Sequence, residues 1–151
     1  MAREVNATGR VPLAPEATLA LWSDPQRWSS FVEGFAQVLE RSGEWPGEGA
    51  KLVWESTPEG RGRVTERVVQ RGPAVFATQV YDKSVSGVQA LRVLEDAEGS
   101  RVQLSLEYEL VRAGPLGAVT DLLFIRRALG DSLGRTLGRF AVEAEEEAGL
   151  R

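Results

Sequence analysis

Glu66, Tyr108 and Gln89 are the residues in this chain whose types and settings suit acid-base or hydrogen-bonding chemistry in an apolar interior. Glu66 shares strand parity with Val64 and Val68, so its carboxylate would point inward, where it needs a partner or a raised pKa. Tyr108 belongs to the set Val102, Leu104, Leu106, Tyr108 and Leu110, which alternates strictly with Arg101, Gln103, Ser105, Glu107 and Glu109. Gln89 keeps step with Gly87, Leu91 and Val93. The chain has no histidine and no cysteine, which removes the commonest general base, the commonest metal ligand and any thiolate nucleophile. An enzyme built from this sequence would therefore depend on Tyr, Asp, Glu or Arg, with Glu66 and Tyr108 as acid or base. Arg63, Arg67 and the arginines near the C-terminus are candidate partners for Glu66. The competing reading of Tyr108 is a core tyrosine whose hydroxyl reaches the rim.

The aromatic residues suggest a binding site more than a reaction. In "LWSDPQRWSSF", residues 21 to 31, Trp22 falls on the apolar face of a short helix, where it anchors that helix to whatever lies beneath. Trp28 and Phe31 are three apart and share a face of a second helical turn, a placement suited to gating a ligand or to ordinary packing. Trp45 sits in "SGEWPGEG", residues 42 to 49, a link longer than a hairpin needs; it closes a pocket or plugs an apolar patch. Trp54 alternates with Leu52 and Ser56 and is assigned inward. Gly130, Gly134 and Gly138 recur every four residues in a helical segment, each costing about 1 kcal/mol relative to Ala. Such a stripe serves close packing on a sheet, room for a ligand, or a self-association seam.

These residues are carried by a regular succession of elements. Arg3 to Pro12 alternates with period two, a first strand. Pro15 opens a short helix, and Asp24 before Pro25 opens a second, because an acidic cap precedes a residue that lacks the N–H a helix start leaves unpaired. Strands follow at Phe35 to Arg41, Ala50 to Thr57, Gly62 to Gln70, Ala74 to Tyr81, Val85 to Leu94 and Arg101 to Val111. The connections between them are mostly short and rich in turn residues, which implies antiparallel neighbours. From Pro115 apolar residues recur at three- and four-residue spacing through Leu133, Leu137 and Ala144, an amphipathic helix of about twenty to thirty residues.

Size and charge bound the function. A chain of 151 residues with 42% hydrophobic and 26% charged residues is expected to form one globular domain, 1–151. A net charge of −4 argues against nucleic acid as a partner. The cluster Arg126, Arg127, Arg135 and Arg139 is broken by Asp131 and followed by Glu143 to Glu147, as on a solvated helix face. No apolar run is long enough to span a bilayer, so no integral membrane segment is expected and the cytoplasm is the default location. Neither a calcium-loop pattern nor a phosphate loop occurs, and no metal or cofactor is implied.

The order strand, two short helices, six antiparallel strands, long helix resembles the START-like, SRPBCC-type superfamily, in particular its bacterial polyketide cyclase/dehydrase-like branch. The resemblance is carried by "APEATLALWSDPQRWSSFVEGF" (14 to 35), "GEGAKLVWES" (47 to 56), "GSRVQLSLEYEL" (99 to 110) and the last helix. It implies an α+β helix-grip fold: a curved seven-stranded antiparallel sheet wrapped on a long C-terminal helix, with a cavity between them. Members hold lipids, sterols, polyketides, plant hormones or quinones, and a minority are enzymes. The residue pattern reaches a cavity independently, since a sheet with one long apolar face needs a cover and one helix must supply it. The expected function is therefore binding or transport of a small hydrophobic molecule. Its contacts would come from Trp28, Phe31, Trp45, Trp54, Gln89, Leu91, Leu106, Tyr108, Gly130, Leu133, Gly134 and Leu137. A cyclase/dehydrase-type enzyme is the second reading, and a protein-interaction module is the third. The third includes a homodimer through an exposed strand edge or the glycine stripe.

Overall fold

A computed structural model describes residues 3–111 and 118–150, with side chains placed for 3–111 and 123–150. Seven strands form one antiparallel sheet in the order β1-β7-β6-β5-β4-β3-β2. They are β1 (Arg3–Val11), β2 (Phe35–Ser42), β3 (Lys51–Ser56), β4 (Arg63–Arg71), β5 (Val75–Tyr81), β6 (Val85–Asp96) and β7 (Gly99–Leu110). Between β1 and β2 come α1 (Pro15–Trp22), a 3-10 turn (Pro25–Arg27) and α2 (Trp28–Phe31). The chain ends in α3 (Ala118–Glu147), 30 residues long. This is the helix-grip architecture expected from the order of elements.

The local signals act as the residue types require. Pro15 stands at the first position of α1, and the side chain of Asp24 accepts from the Gln26 N–H at 3.0 Å, capping the 3-10 turn behind Pro25. Strands β1 and β2 follow each other in sequence yet lie at opposite edges of the sheet, because the two short helices carry the chain across its open face.

Residues directly opposite in an antiparallel ladder share a face, so the register defines an inner surface. Val5, Leu106, Gln89, Thr78 and Val68 make one inner row; Tyr108, Gly87, Val80, Glu66 and Leu52 make the next. Gly87 is required where it stands: a Cβ there would lie 2.1 Å from the Glu107 carbonyl oxygen. The inner surface meets Leu133, Leu137, Phe140 and Ala144 of α3 and the aromatic side of the short helices in one hydrophobic cluster. Phe31, Leu52, Leu91, Leu104 and Phe140 are wholly removed from water. Each such side chain contributes roughly 1.5–3 kcal/mol of burial free energy.

Candidate functional site

The space between sheet, short helices and α3 is nearly closed, with about 50 Å³ left free. Its walls are aromatic: Trp22 and Trp28 from the short helices, Trp54 from β3 and Phe76 from β5. Polar groups reach it from Glu66 and Gln89 on the sheet and from Ser132 and Thr136 on α3. Arg61, Glu33, Val32 and Leu133 complete its lining. A space of this size holds one or two waters, whereas sites for drug-sized molecules occupy about 300–1,000 Å³.

The Glu66 carboxyl is buried in this space. Its neighbours on the inner surface of β4 are Val64 and Val68, so strand alternation aims its carboxyl into the core. Trp54 donates its indole N–H to one carboxyl oxygen at 2.7 Å, and Thr78 donates its hydroxyl to the other at 2.9 Å. Burial pushes the Glu66 pKa up, and this outweighs the two hydrogen bonds and the positive charge of Arg61, all of which pull it down. The guanidinium of Arg61 stacks over Trp54 at 5.7 Å and is itself tied to Asp82 at 2.7 Å, so it does not neutralise Glu66 by direct contact. Of the partners that the sequence offers Glu66, the helix arginines Arg126, Arg127, Arg135 and Arg139 are exposed, and so are Arg63 and Arg67. Register explains this: both sit one residue out of phase, on the other face of β4.

The tryptophans lock one another in place. Trp22 stacks on Phe31 at 5.4 Å and meets Phe140 edge-on at 5.1 Å, as an anchor should. Trp28 donates its indole N–H to the Trp22 carbonyl at 2.8 Å and packs edge-on against Phe35 and Trp45. Trp45 is half-buried, donates to the Ser23 carbonyl at 2.8 Å and contacts Phe76 edge-on at 5.8 Å. The long β2–β3 loop is thus pinned against the short helices. Phe76 has a further position of interest. It lines both the inner space and a second groove of about 390 Å³ formed by α1 and the β4–β5 turn, so it is the partition between them. At the opposite rim, Glu33 pairs with Arg135 and its backbone N–H donates to Thr136 at 3.1 Å, fastening the end of α2 to α3. The hydrogen bond from Arg135 holds the Glu33 carboxyl below the usual range.

Of the residues singled out from the sequence, Trp28, Trp54, Gln89 and Leu133 line the free space, together with Glu66. Phe31, Leu91, Leu106 and Leu137 are packed core and do not reach it. Trp45 stands one aromatic ring behind it, in contact with Trp28 and Phe76. Tyr108 is 1% exposed, and its hydroxyl has no hydrogen-bond partner among the described residues. The glycine stripe requires a correction. At about 100° per residue, Gly130, Gly134 and Gly138 drift away from the buried side of α3 that carries Leu133, Leu137 and Phe140. A Cβ on Gly130 would touch Val5 at 4.0 Å, and one on Gly134 or Gly138 would meet nothing within 4 Å. The stripe therefore neither packs tightly on the sheet nor makes room in the cavity. Phe76, Thr78 and Arg61 were not picked out from the sequence. Phe76 and Thr78 had a signal, since both share the inward parity of Val80 in "VFATQVY". Arg61 had none, because it lies in a turn.

A sheet gripping a long helix around a small aromatic cavity defines a helix-grip protein of the START-like, SRPBCC type. The chain belongs to the polyketide cyclase/dehydrase and lipid transport family, whose model matches residues 2–145. Among solved structures it is similar to the Zhui aromatase/cyclase from a Streptomyces species. The two share 18% identity with a TM-score of 0.79, over 98% of this chain and 96% of that one. It is also similar to the protein TTHA0849 from Thermus thermophilus, at 17% identity and TM-score 0.75, over 96% of this chain and 99% of that one. Norcoclaurine synthase from Thalictrum flavum is more distant, at 15% identity and TM-score 0.59, over 85% of this chain and 87% of that one. At these identities the likeness carries the fold alone. No protein of curated function matches the sequence significantly. Among the described residues no helix is long and apolar enough to cross a membrane, and no group of three or more potential ligands is placed to hold a metal ion.

Proposed function

We propose that the protein binds a small, mainly apolar molecule carrying at least one carbonyl or hydroxyl oxygen, in the space between the sheet and α3. The observation that carries this reading is the setting of Glu66. Desolvation raises its pKa and so favours the protonated carboxyl, which has one O–H to donate, in an otherwise aromatic cavity that Gln89 also lines. Aromatic walls supply the burial energy, and these few polar tips orient the guest. The ligand enters by displacing Phe76 and Trp45, which joins the inner space to the groove beside α1. Candidate ligand classes are lipids, polyketides and quinones.

The test is native mass spectrometry of freshly purified protein, followed by thermal melts against aromatic polyketide, quinone and fatty-acid probes. A ligand present at about 100 times its Kd raises stability by about 2.7 kcal/mol. No bound mass and no shift with any probe would end this reading. The raised Glu66 pKa favours a second one, an enzyme of the cyclase/dehydrase type in which protonated Glu66 gives its proton to a departing hydroxyl, which leaves as water, and the resulting carboxylate takes up the substrate's acidic α-proton. Turnover of a poly-β-keto probe that survives Glu66→Gln unchanged would remove it.

A further inference from the structure

We propose that the outer face of the sheet, on β1, β7 and β6, is a self-complementary surface on which a second copy of this chain docks about a two-fold axis. The register places outward residues in rows across these strands. At one end Arg10 stands directly opposite Arg101, with Arg92 beside Gln103 in the next row. At the other end Glu4 stands directly opposite Glu107, with Glu109 one row beyond. All six charged residues are exposed. Like charges set opposite each other on neighbouring strands are destabilising, so this face carries two unfavourable pairs at its ends. The relief available within the described residues is slight. Arg10 reaches Asp96 only at 3.8 Å, and Arg92 donates to the Ser105 hydroxyl at 3.3 Å. Arg101, Glu4, Glu107 and Glu109 form no ion pair among the described residues.

Between the two ends the row Asn6, Ser105, Ala90, Ala77 crosses four strands with short side chains only. A two-fold axis laid across the strands beside this row, level with Ala7 and Leu104 midway between Arg10 and Glu4, in the plane between two such faces, puts β1 over β1 and β7 over β7 in opposite directions. It sets the arginine end of each copy over the glutamate end of the other, which is an isologous contact. Arg10 and Glu4 are six residues apart on a strand, about 20 Å at 3.3 Å per residue, so the two clusters act as separate points of attachment. The low middle row lets the sheets approach to about 10 Å, within the joint reach of Arg and Glu side chains. The arginine end is also hollow. A groove of about 860 Å³ lies among Thr8, Arg10, Arg92, Leu94, Arg101 and Gln103, open to receive the partner's carboxylates. Leu94 and Val88, 66% and 41% exposed on this same face, add apolar contact.

A simple anion or acidic peptide would satisfy the arginines and leave the three glutamates unmet, whereas a second copy satisfies both ends at once. The patch measures about 20 Å by about 15 Å, given strands about 4.8 Å apart, and its attachment is electrostatic. It is small for an interface, so association falls in the micromolar range and weakens with salt.

Sedimentation velocity of the full chain tests this, at up to about 500 μM in about 20 mM and about 500 mM salt, where screening lengths differ severalfold. We expect dimers at low salt and at least tenfold weaker association at high salt. Two variants, Arg10→Glu/Arg101→Glu and Glu4→Arg/Glu107→Arg, carry faces on which one sign outnumbers the other by five residues to one, and should each be monomeric alone. Mixed in equal amounts they should pair at least as tightly as the wild type. Far-UV circular dichroism melts confirm that both remain folded, and Arg101→Gln is a milder variant expected to weaken association at least threefold. A monomeric wild type at low salt, variants that dimerise alone as the wild type does, or a mixture that stays monomeric would each overturn the proposal.

Discussion

Replacing Glu66 by glutamine isolates the free energy stored in its buried carboxyl. Burial raises the folded-state pKa of Glu66 above the ordinary glutamate range, so at intermediate pH the folded chain holds a proton that the unfolded chain has released. Stability from this group is fully present at pH below the ordinary range and falls as pH rises through the raised value. Above that value both states are ionised and the penalty stays constant. Within the window the loss is about 1.36 kcal/mol per pH unit. At roughly 2–4 °C per kcal/mol the melting point drops by about 3–5 °C for each pH unit within the window. Glutamine keeps an oxygen for the Trp54 indole, and its amide N–H can donate to the Thr78 hydroxyl, so both neighbours stay paired. The variant should match the wild type at low pH and overtake it as pH rises. Urea denaturation from about pH 4 to about pH 8, followed by far-UV circular dichroism, gives the difference in stability, in which all other titrations cancel. A difference that is flat across that range would refute the argument. Arg61→Gln supplies a second arm: removing the charge that pulls the Glu66 pKa down widens the window.

Glu66→Ala, by contrast, leaves the Trp54 N–H and the Thr78 hydroxyl without partners and should cost about 2–6 kcal/mol in urea melts near pH 5, at about 1–3 per buried group. Trp28→Phe orphans the Trp22 carbonyl and should cost about 1–2 kcal/mol by the same measurement. Gly134→Ala adds a methyl group that meets nothing and should raise stability by about 0.5–1 kcal/mol; a loss would show that the stripe contacts something. Phe76→Ala removes the partition between cavity and groove. It should speed uptake of a bound probe in stopped-flow fluorescence at least tenfold while lowering the melting point.

The sheet was legible in the sequence because its signals repeat. The strict alternation of Val102 to Leu110 against Arg101 to Glu109 marks one dry and one wet face, and Asp24 before Pro25 marks a capped turn. Glu66 was legible for the same reason: parity with Val64 and Val68 places a carboxyl inside whatever else happens. The glycine stripe misled because four-residue spacing on a helix keeps residues near one face without saying which face. Leu133, Leu137 and Phe140 decide that, and they point elsewhere. The partition by Phe76 was not legible, since it depends on where α1 and the β4–β5 turn end up relative to each other. The free volume was not legible either. It is the small difference between a large enclosed space and the side chains filling it, so it depends on side-chain rotamers that residue types and spacing do not specify.

That small difference bears directly on how a ligand would be held. With about 50 Å³ free, a guest must displace side chains, and the candidates differ in what they lose. Trp28 gives up a buried hydrogen bond to Trp22 and edge contacts with Phe35 and Trp45. Phe76 has no polar group to orphan, and it borders a groove already open beside α1. Trp45 must release its bond to Ser23, but it lies in a loop and is only half-buried, so water can replace that partner at modest cost. The cheaper route therefore runs past Phe76 and Trp45 rather than past Trp28. Because the displaced rings lose contact with one another, the guest must be flat or flexible enough to restore it, and its oxygen must meet Glu66 while the carboxyl is still neutral. Binding and the protonation of Glu66 are then linked: ionising Glu66 removes its donor, and a guest that accepts from that donor drives its pKa still higher. Affinity for a carbonyl probe should therefore fall as pH rises through the same window in which the wild type loses stability, and it should lose that pH dependence in Glu66→Gln.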